Sequence, residues 1–188
     1  MTTYDIPLQL AAAAHHLAPF FTPHNRKSGF TEEGSKTARG RGDYTDLIAS
    51  LTIFSMLAEA DIVCRLELTA GAGDSSDLAI RYRGNWQTVN IKSSTYRPYS
   101  DRLNLFIKEE EINKGIDIYV QVFVHLDEND EAAHIHVPGW LARGGQSWRE
   151  HTKTLIEIPG TGGHKGAAIP VSILRPLTSL IEIADHKF

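Results

Sequence analysis

The residues whose types and spacing could do chemistry are Asp77, Asn90 and Lys92. Asp77 opens a short apolar run, residues 78–82 (LAIRY), and Asn90 and Lys92 lie in the next run, residues 86–94 (WQTVNIKSS), beyond a Gly84-Asn85 turn. Side chains alternate along a strand, so Trp86, Thr88, Asn90 and Lys92 share one face while Val89 and Ile91 point into the core. Hairpin pairing then brings Asp77 beside Asn90 and Lys92. A carboxylate, an amide carbonyl and an ammonium at one sheet edge suit metal-assisted hydrolysis of a phosphodiester. The oxygens hold a hard cation, Mg²⁺ or Mn²⁺, which lowers the pKa of a water and neutralises phosphate charge, and the lysine orients the water or the phosphate. The plain alternative is a solvated strand face carrying an ordinary Asn and Lys.

These residues need a scaffold. Residues 8–17 are rich in Leu and Ala and predict a short helix ending before Pro19, and residues 22–42 are polar and glycine-bearing, which reads as an arm. Helical spacing of Leu47, Ile48, Leu51, Phe54, Ser55 and Ala58 predicts a helix over 44–60, capped by Asp43 or Thr45. Strands are expected at 62–69, 78–82 and 86–94, then a short helix around 109–114. Residues 116–126 (IDIYVQVFVHL) form the most apolar run, with Val120, Val122 and Val124 on one face and Tyr119, Gln121 and Phe123 on the other. Such a run predicts a central strand covered on both sides. His134–Val137 reads as its hairpin partner, followed by a strand at 154–158 and an amphipathic segment at 171–183. The order predicts an α/β or α+β fold, with residues 1–43 as N-terminal helix and arm and 44–188 as a single domain whose core spans 44–138.

Composition narrows the function classes. A chain of 188 residues with 41% apolar residues is long enough to bury roughly 70% of its unfolded surface. One cysteine, Cys64, excludes a disulfide scaffold and a CxxC redox or zinc motif. With no apolar run of about 18 residues and no signal-peptide pattern, the expectation is a soluble, cytoplasmic protein without a membrane partner. The net charge of −4 argues against coating nucleic acid by bulk electrostatics. It hides a strong asymmetry. Residues 81–108 carry six basic side chains and one acid, a balance of +5, whereas residues 109–131 carry eight acids and one lysine, a balance of −7.

The string DLAIRYRGNWQTVNIKSS, preceded by a helix and a strand, resembles the core of the PD-(D/E)XK nuclease superfamily, in which an acid is followed after a spacer by acid-x-lysine. Here the match is Asp77, twelve residues, then Asn90-Ile91-Lys92. The resemblance covers residues 44 to 126, about half the chain, and implies a restriction-endonuclease-like αβββαβ core: a mixed central sheet flanked by helices, with an N-terminal helix and arm and a C-terminal extension. It implies Asp77 and Asn90 as Mg²⁺ ligands, Lys92 as the water-orienting residue, and a further acid on the first helix. Asp46 is preferred for that acid over Glu59, because GDYTDLIAS resembles the opening of such helices. Ser76 stands where proline is frequent, and Asn90 stands where an acid is usual. Asparagine keeps a carbonyl oxygen but removes one negative charge, worth about 4 kcal/mol at 4 Å and an effective dielectric near 20. The expected activity is that of a Mg²⁺-dependent endonuclease acting on nucleic acid, with DNA preferred and a homodimer required for double-strand cleavage by a single-site subunit. The alternative is a degenerate member that binds nucleic acid or a protein without cutting.

Other features compete. Arg81, Ser94, Tyr96, Arg97, Tyr99 and Arg102 mix basic, hydroxyl and aromatic groups and are candidate nucleic-acid contacts. His125, His134 and His136 could make a three-histidine zinc site, although a half-exposed strand face explains them as well. His164 in PGTGGHKG lacks the phosphate-loop pattern and reads as a turn residue. Asp74, among glycines, is a lesser candidate than Asp77, and Trp140 is expected to pack beneath the strand pair.

Overall fold

The computed structural model describes residues 2–27, 36–67, 76–95, 102–127, 132–159 and 163–187. In chain order they form β1 (Thr2–Asp5), α1 (Leu8–Lys27), α2 (Lys36–Glu59), β2 (Cys64–Leu66), β3 (Leu78–Tyr82), β4 (Asn85–Ser94), β5 (Asn104–Lys108), α3 (Glu109–Ile112) and β6 (Ile118–Leu126). There follow β7 (Ala132–Ala142), α4 (Gln146–His151), β8 (Ile156–Glu157), β9 (Lys165–Pro170), a 3-10 turn (Val171–Ile173) and α5 (Leu177–Ile183). The fold is mixed α/β. A six-stranded mixed sheet has the order β1-β7-β6-β4-β3-β2, and β5-β9-β8 make a second, smaller sheet.

Strands β2, β3 and β4 form an antiparallel meander, and β4 then pairs in parallel with β6. Arg83 and Gly84, both at positive φ (49° and 78°), make the two-residue β3–β4 turn, so the turn sits one residue earlier than the sequence suggests. The Asp185 carboxylate locks it by accepting the N–H groups of Arg83 (2.9 Å) and Gly84 (2.8 Å). Strand β6 is central, as its composition predicts. Val120, Val122 and Val124 join Val89, Ile91, Leu47, Ile48 and Ile53 in a core under α2. On the opposite face Tyr119 and Phe123 pack with Leu105 and Ile107 of β5 and Ala167 and Ile169 of β9. Burying roughly a whole aliphatic side chain stabilises by about 1.5–3 kcal/mol, so both faces of β6 are strongly held.

Several expectations change. Helix α1 continues through Pro19 and Pro23 to Lys27, despite the amide donors those prolines lack, and α2 begins at Lys36, so no cap forms at Asp43 or Thr45. Most of the expected arm is therefore helical backbone. The boundary at residue 43 also marks no break in the core, because Ile6, Ala14 and Ala18 share it with Tyr44 and Leu47. Leu177, Leu180 and Ala184 belong to the same core, so it runs well beyond residue 138. Strand β2 is shorter than expected, β7 is longer, and β1, β5, α4 and β9 were not anticipated from the pattern. Among the described residues no helix is long and apolar enough to cross a membrane.

The small sheet matters because β5 runs directly into α3. Gly166 of β9 lies so close to β5 that an added Cβ would sit 2.3 Å from the Ile107 carbonyl oxygen and 2.6 Å from Ile158 Cδ1. Overpacking of this kind typically costs about 1–3 kcal/mol. Gly166→Ala is expected to lower the stability measured by urea unfolding by about 2 kcal/mol. An unchanged midpoint would mean that β5 and β9 separate at little cost.

Candidate functional site

Strand β3 begins just after Asp77, and the hairpin register sets that residue opposite Asn90. The last ladder pair is Leu78 with Val89, and the Asp77 N–H donates to the Val89 carbonyl at 2.9 Å. Beyond this point the two strands part. The Ile91 N–H donates instead to Asp77 Oδ2 at 2.6 Å, so the carboxylate stands in for a missing strand neighbour. Asp77 therefore has a structural task as well as a candidate chemical one.

Asn90 and Lys92 lie on the same face of β4, opposite Tyr119 and Gln121 of β6. The Lys92 ammonium donates to Glu111 Oε1 at 2.6 Å, and both side chains are largely buried. Glu111 sits on α3, where its other oxygen accepts the Lys108 N–H at 3.1 Å, and the Tyr119 hydroxyl donates to the Glu111 carbonyl at 3.1 Å. Tyr119 in turn stacks on Trp148 at 5.3 Å between ring centroids. Gln121, 3% exposed, donates to the Lys92 carbonyl at 2.9 Å and fixes the strand under the lysine.

Asn90 Oδ1 differs from every other described side-chain polar atom: it alone is fully buried without a hydrogen-bond partner. Leaving such an acceptor unsatisfied typically costs about 1–3 kcal/mol, which is why an orphan of this kind calls for an explanation. A cation beside it would supply one. Asp46 reaches the same region from α2, where its exposed carboxylate accepts a short hydrogen bond from the Ser93 hydroxyl. Glu59 is instead bound to Ser55 (3.0 Å) at the far end of α2.

Electrostatics ties the group together. Asp77 keeps some exposed surface, yet its carboxyl is well shielded, and burial is the main cause that pushes its pKa to about 7. The Ile91 N–H opposes the rise, the Asp46 charge adds to it, Lys92 opposes it and Glu111 adds to it. Asp46, Asp77, Lys92 and Glu111 are thus electrically coupled.

The other sequence candidates disperse. Arg81 lies at the far end of β3, where its Nε contacts the Gly84 carbonyl (3.4 Å) and Asp185 (3.8 Å), away from Asp77. Same-face residues of a strand stand about 7 Å apart along its axis, so Arg81 and Asp77 occupy opposite ends of β3. Ser94 ends β4 next to Ser93. Arg102 is exposed just before β5, while Tyr96, Arg97, Tyr99 and Asp74 lie outside the described residues. His125 and His134 stack at 4.4 Å and His136 meets His134 edge-on at 5.1 Å, with His136 Nδ1 hydrogen-bonded to Thr3 Oγ1 at 2.8 Å. Burial first, then the neighbouring imidazoles, lower the pKa of His136. Trp140 is buried, and its indole N–H bridges to the Pro176 carbonyl and Ser179 hydroxyl. Glu111 is the site residue that spacing did not single out.

Among the described residues no three His, Cys, Asp or Glu side chains converge to form a metal cage by themselves. The candidate donor set is mixed: the Asp77 carboxylate, the Asn90 amide oxygen and the nearby acids, all hard oxygens that fit Mg²⁺ or Mn²⁺ rather than a soft ion. No family model matches the chain, and no curated protein matches it.

The raised Asp77 pKa makes a signed prediction. Below the ordinary aspartate value of 3.8 the carboxyl is protonated in folded and unfolded chains alike; between 3.8 and about 7 only the unfolded chain ionises; above about 7 both are charged. Stability without divalent cations should therefore fall as pH rises from about 4 to 7 and then level off with respect to this group, by up to about 4 kcal/mol. Asp77→Asn is expected to flatten that slope and raise the melting temperature in EDTA at pH 8 more than at pH 5. Equal effects at the two pH values would contradict a buried, reluctantly ionised Asp77.

Proposed function

We propose that the chain is a divalent-metal-dependent nuclease of restriction-endonuclease-like fold, acting on nucleic acid with DNA preferred. The observation that carries the reading is the convergence of Asp77, Asn90 and Lys92 at the point where β3 and β4 part, with a buried, unpartnered amide oxygen among them. The succession α2, β2, β3, β4, α3, β6, with β4 and β6 parallel, supports the same fold reading, although β5 intervenes before α3.

Asp77 and Asn90 would hold the metal, with Asp46 near enough to contribute through its charge. Mg²⁺ bound there supplies charge neutralisation at the phosphate and a lowered pKa for water. The chain's own residues do the rest. Asp77 is anchored by the Ile91 amide, so its second oxygen keeps a fixed direction. Lys92 is held on the same face by Glu111 and its backbone by Gln121, which leaves an ammonium at a defined height above the strand to orient a water or a phosphate oxygen. Burial of the group strengthens each of these interactions relative to water.

Plasmid DNA and short duplex and single-stranded substrates incubated with Mg²⁺ or Mn²⁺ test the reading. Cleavage is expected, abolished by EDTA and reduced at least about 100-fold in Lys92→Ala, the usual scale for losing one positioned charged donor at the reacting group. Cleavage no greater than that of the Lys92→Ala control would sink the enzymatic claim. Salt-dependent binding without turnover would assign the chain to the non-cleaving alternative.

A further inference from the structure

We propose that Trp86, with the Arg65 guanidinium stacked on its ring, is a base-stacking platform for single-stranded nucleic acid on the sheet face that carries Asn90 and Lys92. This deepens the reading above, on which it rests for the class of partner, and names an unpaired strand as what the face takes. Two observations carry it. Trp140 and Trp148 are buried, at 2% and 6% exposure, whereas Trp86 is left 43% exposed. The exposed ring is nonetheless held in place. Arg65 crosses from β2 with its Cζ 4.5 Å from the ring centroid, and Glu67 Oε1 accepts from Arg65 Nε at 2.8 Å and from an outer guanidinium nitrogen at 2.7 Å.

Register supplies the second observation. Arg65 lies opposite Ala79, Ala79 opposite Thr88 and Arg81 opposite Trp86, so alternation sets Arg65, Arg81, Trp86, Asn90 and Lys92 on one face. The anchor of the platform also reaches the site: the Glu67 N–H donates to the Asp77 carbonyl at 2.9 Å, and Glu67 Oε2 accepts from the Ser76 hydroxyl. Four residues of β4 separate Trp86 from Asn90, roughly 13 Å, which is about four steps of a stacked strand. A strand with one base on Trp86 can therefore lay its backbone toward Lys92. Its charge suits the face, where Arg65, Arg81 and Arg83 are exposed and the carboxylates beside them are those of Glu67 and Asp185. A paired duplex keeps its base faces stacked on one another, so an indole can stack only on an unpaired base. The guanidinium adds attraction for the strand from the other element.

Titration of the full chain with a short oligothymidylate in EDTA, followed by tryptophan emission and its quenching by acrylamide, tests this without turnover. Because the other two indoles are buried, acrylamide quenching reads Trp86. Bound oligothymidylate is expected to shield Trp86 from acrylamide. Trp86→Leu is expected to weaken binding at least about fivefold, while Trp86→Phe, which keeps a ring, retains most of the affinity. A merely structural Arg65–Trp86 pair would lower stability in Trp86→Leu and leave oligothymidylate affinity unchanged. If Trp86→Leu does not fold, shielding in the unaltered chain decides. The proposal is overturned by no binding, by binding that leaves Trp86 open to acrylamide, or by unchanged affinity in Trp86→Leu. A fully paired duplex whose affinity falls equally in Trp86→Leu overturns it as well. The two readings fail separately. A chain that binds the single strand through Trp86 yet cuts nothing keeps the platform and loses the nuclease function, whereas one that cuts DNA with affinity indifferent to Trp86 does the reverse.

Discussion

The parallel pairing of β4 with β6 is the constraint on which the rest of the molecule depends. Antiparallel neighbours can be joined by two residues, as Arg83 and Gly84 join β3 to β4, but parallel neighbours require the chain to travel back along the sheet before it pairs again. The chain between β4 and β6 makes that return. The crossover contains β5 and α3, and β5 is kept in place by pairing with β9. Because α3 immediately precedes β6, whose Gln121 lies opposite Lys92, Glu111 is delivered over the very face that carries Lys92. The second sheet is thus more than a cover for the core. It fixes the height of the crossover, and through it the position of a carboxylate.

At the other side of the site a second constraint operates. The β3–β4 ladder ends at Leu78 and Val89, which leaves the Ile91 amide without a strand partner, and the Asp77 carboxylate takes it. A buried amide left unpaired would be unfavourable, and a buried carboxylate without donors more so, so the two defects offset each other. The compensation is partial. Asp77 remains reluctant to ionise because its shielding outweighs the amide and Lys92 together. The parting of the two strands therefore leaves a shielded carboxylate whose charge is poorly stabilised.

Alternation of apolar and polar residues was enough to find β3, β4 and β6, because each buries at least one continuous face: Leu78 and Ile80, Val89 and Ile91, Val120 to Val124. The same signal failed for β5 and β9. Asn104–Lys108 and Lys165–Pro170 are short, lie among glycine, proline and charged residues, and acquire strand structure only by pairing with one another across more than fifty residues of sequence. Helix α1 was cut short in expectation at Pro19, where local propensity predicts a stop, yet Ala14 and Ala18 are packed in the core and the helix continues. At the site, Asp77, Asn90 and Lys92 were legible because one hairpin relates them, and Asp46 because its helix precedes that hairpin. Glu111 was not. It is one of three consecutive glutamates, and only the turn of α3 decides which of them faces Lys92.

Seen along the sequence, the basic stretch 81–108 and the acidic stretch 109–131 look like two separate patches on a chain of net charge −4. In the fold they meet. Lys92 from the first contacts Glu111 from the second, and the acidity that seemed to begin only after the site contributes one of its charges. Not all of the basic stretch converges: Arg81 turns to Asp185 at the opposite end of β3. Net charge and its distribution along the chain therefore exclude only indiscriminate electrostatic binding. The charge felt by Asp77 is set locally, by Asp46, by Lys92 and by which residue of α3 the parallel pairing of β4 and β6 brings over the sheet.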